Sequence, residues 1–261
     1  MKTHNYEKHA AEYAEIGFEG TQYLAFRDVP EIIQRTVHGT RVLDYGCGPG
    51  RSTRLLKSLG FDVAGVDISR DMLAQALDKD PAGDYRLITS GHIPFEAVTF
   101  DLVFSSFVFL EVSTLEEIGN ILTEMKRVLK HDGSIVIVTS APECYKGDWV
   151  SISFDFPENE REILSGETMK LLFRGTEVEL HDYYWTEDDY AQIFGNVGLQ
   201  AKETHKPLGH DDDPYEWRDE KDKPAMLIYV LGKKVPARKT PAPRSKGTGS
   251  RSSTQVRRRT S

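Results

Sequence analysis

The apolar stretch Arg41–Asp44 runs straight into Tyr45-Gly46-Cys47-Gly48-Pro49-Gly50, and Ser52–Leu59 then carries leucines at helical spacing. A strand that turns through three glycines into a helix commits this part of the chain to a βα unit, with a ligand loop at the carboxyl end of the strand. Glycine lets the backbone turn sharply and lets a ligand approach without an intervening side chain. The helix that follows presents unpaired N–H groups to polar ligand atoms.

The same alternation continues. Asp62–Asp67 reads as a second strand, Arg70–Leu77 as a helix, Tyr85–Thr89 and Phe100–Ser105 as further strands. Thr114–Leu129 reads as a longer amphipathic helix, ended by His131-Asp132-Gly133 as a C-cap signal, and Ser134–Thr139 as a fifth strand. Residues 141–185 lack a clean βα unit. Trp185–Val197 reads as a helix capped by Thr186, and Leu199–Thr204 and Ala225–Gly232 as two closing strands joined by the polar, acidic segment His205–Lys223. The fold class expected is α/β: a Rossmann-like, seven-stranded, mainly parallel sheet with helices on both faces, an insertion after strand 5, and a disordered C-terminal tail. The expected organisation is one domain over residues 1–235, with 141–185 as an acceptor lid, followed by a basic tail over 236–261.

Three details separate the glycine loop from a dinucleotide site. That fingerprint wants a third glycine three residues after the second, and Arg51 stands there; here the third glycine is Gly50. Asp44 ends the strand two residues before the first glycine, where a carboxylate repels a pyrophosphate but pairs with an amino group. Asp67 ends the next strand 23 residues later, where a carboxylate can accept both ribose hydroxyls. S-adenosylmethionine carries an ammonium and a sulfonium where a dinucleotide carries phosphates.

The chain resembles the class I S-adenosylmethionine-dependent methyltransferases of the small-molecule branch. Val42-Leu43-Asp44-Tyr45-Gly46-Cys47-Gly48-Pro49-Gly50 is similar to the first motif of that family, and Val66-Asp67 with Ser69 and Met72 to the second. Phe100-Asp101-Leu102-Val103 with Ser105-Ser106-Phe107 matches the fourth-strand motif; Met125–Lys130 and Asp132-Gly133-Ser134 match the run into the fifth strand. The resemblance covers about residues 5–140, and the last strand pair more weakly. It implies that the methionine portion of S-adenosyl-L-methionine lies along Asp44, Gly46 and Gly48, the ribose on Asp67, and the adenine against Ile68. It places Ser105 near the methyl group and makes Tyr6 or Tyr13 an aromatic that closes over the cofactor. Relatives often carry an acid after the third strand, ahead of a run like Ile93-Pro94-Phe95. Here Thr89-Ser90-Gly91-His92 offers none, which leaves Thr89, Ser90 or a backbone carbonyl for the adenine amino group.

Methyl transfer is an in-line displacement at a sulfonium carbon, so holding the acceptor in line and excluding water supply much of the catalysis. No fixed catalytic motif is required. The insertion holds Trp149, Phe154, Phe156, Phe173, Tyr183, Tyr184 and Trp185, suited either to walling an aromatic or apolar acceptor or to forming the insertion's own core. His181 is the first candidate for a general base, the alternative being a surface histidine, and Glu111 is the second. His210-Asp211-Asp212-Asp213 could offer oxygens to a divalent cation, but adjacent acids cannot all converge on one ion, so no metal is expected.

Composition bounds the rest. The two cysteines, Cys47 and Cys144, cannot build a disulfide framework, and no apolar run approaches the roughly 20 residues of a membrane span, so a cytoplasmic setting is expected. The mixed-charge segment Met1–Gly20 reads as a helix rather than a signal peptide. The net charge of −8 conceals eight Lys or Arg and no acid in residues 236–261, which leaves 25 basic against 41 acidic residues, a balance of −16, in the body. That body is a poor surface for a phosphate backbone. The function expected is N- or O-methylation of a small, specialised metabolite. The rivals are a nucleic-acid or protein methyltransferase that uses the basic tail, including Arg257, Arg258 and Arg259, and a non-catalytic S-adenosylmethionine-binding protein. No Asn-Pro-Pro-Tyr-like motif follows the fourth strand, which argues against action on nucleic-acid bases.

Overall fold

The computed structural model describes Glu12 and residues 15–234. Tyr6, Tyr13 and the basic tail lie outside the described residues. The elements in order are α1 (Tyr23–Thr36), β1 (Arg41–Tyr45), α2 (Arg51–Ser58), β2 (Asp62–Asp67), α3 (Arg70–Lys79), β3 (Asp84–Leu87) and β4 (Phe100–Ser106). After these come α4 (Leu115–Val128), β5 (Leu129–Ser140), β6 (Ile152–Ser153), β7 (Thr168–Phe173), β8 (Glu179–Tyr183), α5 (Glu187–Asn196), β9 (Leu199–His205) and β10 (Met226–Lys233).

Seven strands form one sheet in the order β3-β2-β1-β4-β5-β10-β9. β1 pairs in parallel with β2 and β4, and β4 with β5, while β10 runs antiparallel between β5 and β9. This is the mainly parallel Rossmann-like sheet that the alternating pattern predicts. Its central strands are apolar on both sides because both faces are covered. Val42, Leu102, Val136 and Val138 face the layer formed by α1, α2 and α3. Leu43, Val103, Ile135 and Ile137 face α4 and α5. In α4 the residues Ile118, Ile121, Leu122, Met125 and Val128, at helical spacing, are all at most 1% exposed. Burial of side chains of this kind contributes roughly 1.5–3 kcal/mol each.

Helix α1, with Leu24, Ala25, Val29 and Ile33 fully buried, lies in a stretch to which the sequence reading assigns no element, and it carries Pro30 in its interior. α4 ends at Val128 on an extended Leu129, and His131-Asp132-Gly133 lies inside β5 instead of capping the helix. Residues 141–185 contain no βα unit, as read from the sequence; β6, β7 and β8 form a small antiparallel sheet of their own. The expected Thr186 cap is present, and its side chain accepts from Asp189 N–H while the Asp189 carboxylate accepts from Thr186 N–H.

The long segment after β9 is tied down by buried carboxylates. Glu220 is fully buried; its Oε1 accepts from Thr21 Oγ1 at 2.8 Å and Val150 N–H at 2.7 Å, and its Oε2 from Arg218 N–H at 2.9 Å. Asp213 accepts from Arg27 Nη1 at 2.9 Å, His210 N–H at 2.7 Å and Trp217 Nε1 at 3.1 Å. Asp211 pairs instead with Lys221. The acidic run is thus partly spent on ordering its own loop. Among the described residues, no group of three His, Cys, Asp or Glu side chains gathers at metal-binding range, and no helix is long and apolar enough to cross a membrane.

Candidate active site

The glycine loop leaves β1 at the centre of the sheet. Gly46 and Cys47 donate to Val66 O at 2.8 and 3.0 Å, which pins the loop against β2. Gly46, Gly48 and Gly50 all have positive φ, at 71°, 50° and 75°. Their surroundings differ. A Cβ on Gly46 would stand 2.1 Å from Val108 Cγ2, so the loop packs directly on the segment after β4, whereas a Cβ on Gly48 would meet nothing within 4 Å. Gly48 therefore faces an open cradle.

Asp44, in the strand that feeds this loop, is fully buried. Ser52 Oγ and Thr53 Oγ1, from the first turn of α2, donate to its Oδ2 at 2.7 and 2.6 Å, while Oδ1 has no hydrogen-bond partner. Burial pushes its pKa up to about 6, opposed by the Thr53 and Ser52 hydrogen bonds and reinforced by the charge of Asp67. Asp67 is 9% exposed; its Oδ2 accepts from Gly48 N–H and its Oδ1 from Ser69 N–H, each at 2.8 Å. Burial raises its pKa too, against those backbone donors. Two buried carboxylates flank one loop. A cationic ligand rich in donors relieves both the orphaned oxygen and the mutual repulsion, and an anion does neither.

The rim residues are spread around this loop. Ile68 is half-buried against the α4 side of the core. Thr89 is exposed, and Ser90 Oγ donates to Glu117 Oε1 at 2.8 Å. Gly91 N–H reaches Tyr45 Oη at 3.2 Å. A carboxylate thus stands beside Ser90 after all, supplied by α4 from 27 residues along the chain. Ser105 is 1% exposed and its Oγ has no partner. Arg51, in place of the dinucleotide glycine, donates to the carbonyls of Ile16 and Gly17 and lies over the Phe18 ring, at 5.6 Å.

Beyond the carboxyl ends of β4 and β5 lies a pocket partly open to solvent. One side is the inserted sheet, through Ile152, Phe154, Leu171, Phe173 and Leu180; Phe107 and Met226 come from the main sheet. Phe107 has φ of 58°, an unfavourable conformation for a residue with a side chain, as the chain leaves β4. Of the insertion's aromatics, Phe154 and Phe173 line the cavity. Trp149 is fully buried with Nε1 on Cys144 O at 2.6 Å, and Trp185 donates to Val112 O at 3.2 Å, so both are core. Tyr184 packs edge-on against Tyr145, and Phe156 lies under Lys170.

The two candidate bases part company here. Glu111 lines the cavity. His181 does not: β8 alternates, and the parity that turns Leu180 and Asp182 into the cavity turns His181 out to solvent. Of the two neighbours on β8, it is Asp182 that lines this cavity, and His181 stands outside it. Burial holds the Asp182 carboxyl well above the usual carboxylate range, and the charge of Glu111 adds to this. Among the polar lining groups that escaped sequence reasoning are Asp182 and Gln22. Gln22 is 6% exposed, and its Oε1 has no partner. No local signal marks either one, because their approach depends on tertiary packing.

Comparison with known proteins agrees with this architecture. The family described as "Methyltransferase domain" matches residues 43–137. A malonyl-[acyl-carrier protein] O-methyltransferase from Salmonella typhimurium is 31% identical over 179 residues, covering 66% of this chain and 68% of that one. A phosphatidylethanolamine N-methyltransferase from Cereibacter sphaeroides is 36% identical over 106 residues, 38% of this chain and half of that protein. The crystal structure of an S-adenosylmethionine-dependent methyltransferase from Clostridium acetobutylicum shares the fold, with a TM-score of 0.59 at 15% identity over 88% of this chain and 99% of that one. The chain belongs to the class I S-adenosylmethionine-dependent methyltransferases.

Proposed function

We propose that S-adenosyl-L-methionine binds across the glycine loop and that a small molecule, seated in the cavity beyond β4 and β5, receives its methyl group on nitrogen or oxygen. The observation that carries this reading is the buried Asp44, whose Oδ1 lacks a partner, in the strand that feeds a loop with open space at Gly48. The residues fit the cofactor. The Asp44 carboxylate and the loop backbone at Gly46 and Gly48 would hold the methionine portion, and Asp67 has lone pairs left for two ribose hydroxyls. Ile68 offers an apolar face to the adenine. Ser90, already bonded to Glu117, and Thr89 supply polar atoms at its edge, and Ser105 lies towards the methyl group.

The bound cofactor supplies an activated methyl on a positive sulfur. What this chain supplies is placement and exclusion of water. The inserted sheet at 141–185 serves as the wall that closes the acceptor in, and Glu111 is the carboxylate positioned to take a proton from the acceptor. Gly46 packs on Val108, in the same segment after β4 that gives the cavity Phe107, Leu110 and Glu111.

Calorimetry with S-adenosylhomocysteine tests the reading. The folded chain is expected to bind it, and Asp44→Ala and Asp67→Ala each to weaken binding strongly. A folded wild-type chain that does not bind would sink it.

A further inference from the structure

The cavity's polar lining is one-sided. Gln22, Glu111, Ser140 and Asp182 are its polar residues, and none of the lining residues is Lys, Arg or His. Gln22 and Asp182 are 6% and 4% exposed, so each has given up water. The Gln22 amide oxygen recovers no hydrogen bond within the protein. The groups come from four separate segments: the turn before α1, the turn after β4, the end of β5, and β8. A buried oxygen without a donor is costly unless a ligand brings one.

We propose, building on the methyl-transfer reading above, that this chamber takes a primary or secondary amine with a compact apolar or aromatic body, its nitrogen held among Asp182, Glu111 and the amide oxygen of Gln22. An ammonium brings several N–H donors and a positive charge to three acceptor groups, two of them carboxyls. An alcohol brings one donor. A carboxylate brings none and adds a third acid with no cation to offset it. Phe154, Leu171, Phe173 and Met226 leave the rest of the molecule an apolar surface.

The step balances. The ammonium gives one proton to the Glu111 carboxylate and becomes a neutral amine. Its lone pair forms the N–C bond to the methyl carbon while the C–S bond breaks, with that electron pair passing to sulfur. The sulfonium becomes a thioether, and the nitrogen takes the positive charge.

The experiment uses the full chain saturated with S-adenosylhomocysteine. It is titrated calorimetrically with a phenyl-bearing amine, alcohol and carboxylate of matched chain length. The amine is expected to bind at least tenfold more tightly than either analogue. Asp182→Asn, which keeps the shape, is expected to lower amine affinity at least tenfold, and Gln22→Leu several-fold, with S-adenosylhomocysteine affinity unchanged in both. Equal or tighter binding of the alcohol or carboxylate overturns the proposal, as does an Asp182→Asn variant that binds the amine like wild type. The carboxylate arm also tests chemistry closer to the malonyl acceptor for which the Salmonella relative is named. The S-adenosylhomocysteine titration run alone reports on the methyl-transfer reading, so failure there is distinguished from loss of the amine preference.

Discussion

Asp44→Asn separates the energetic burden of the buried carboxylate from its use. In the folded chain, burial raises the Asp44 pKa from the usual carboxylate range to about 6. Each tenfold change in proton affinity corresponds to about 1.4 kcal/mol, so the ionised form burdens the fold by about 3 kcal/mol. The sign follows from proton counting. Between the unfolded and folded values the native state binds more protons, so stability falls as pH rises through that window and the full burden is present above pH 6. Roughly 1.4 kcal/mol of it is relieved on going from pH 7.5 to pH 5. The asparagine variant keeps an oxygen for Ser52 and Thr53 and loses the charge. Urea unfolding of the cofactor-free proteins at pH 5, 6 and 7.5 should show the wild type gaining about 1.4 kcal/mol more than the variant as pH falls. S-adenosylhomocysteine affinity at pH 7.5 should drop at least tenfold in the variant, the equivalent of about 1.4 kcal/mol. Identical pH profiles would refute the electrostatic argument, and unchanged affinity would refute the assignment of Oδ1 to the ligand's ammonium.

Two further outcomes follow from packing. Gly46→Ala combines a positive φ with a Cβ 2.1 Å from Val108 Cγ2, so it should destabilise the chain by about 3 kcal/mol. Adding Val108→Ala should restore part of that in thermal unfolding, and a double variant no better than the single would show that the contact is not the cause. Glu220→Gln sets an amide N–H₂ among three donors and should cost about 1–3 kcal/mol by urea denaturation, whereas the exposed Glu216→Gln should change little. Equal effects from the two would remove the buried staple from the account.

The donor side of the site was legible because it is local. Asp44, the glycines and Asp67 lie within two βα units, where strand ends and positive-φ turns follow from residue type. The acceptor side was not. Glu111 could be named because it directly follows β4, but the choice between His181 and Asp182 turns on the parity of a strand whose partner register no single segment reveals. Gln22 belongs to a turn ahead of α1, far in sequence from every other residue of the cavity. Glu117 reaches Ser90 from the N-terminal turn of α4, a carboxylate brought to the end of β3 by tertiary contact that no neighbouring residue type announces. His131-Asp132-Gly133 looked like a helix end because its residue types suit one, yet pairing with β4 draws that stretch into β5.

The inserted sheet has a consequence for how such an enzyme can change. It leaves the main sheet after β5 and rejoins it before α5, and most of the apolar side chains around the cavity belong to it. The loop with Asp44 and Asp67 is built from other parts of the chain, and its Gly46 packs on Val108 just after β4. On the proposed function, methyl-donor recognition and most of the apolar acceptor wall are therefore encoded in separate stretches of sequence, so exchange of the three-stranded module would remodel that wall while the donor loop stays in place.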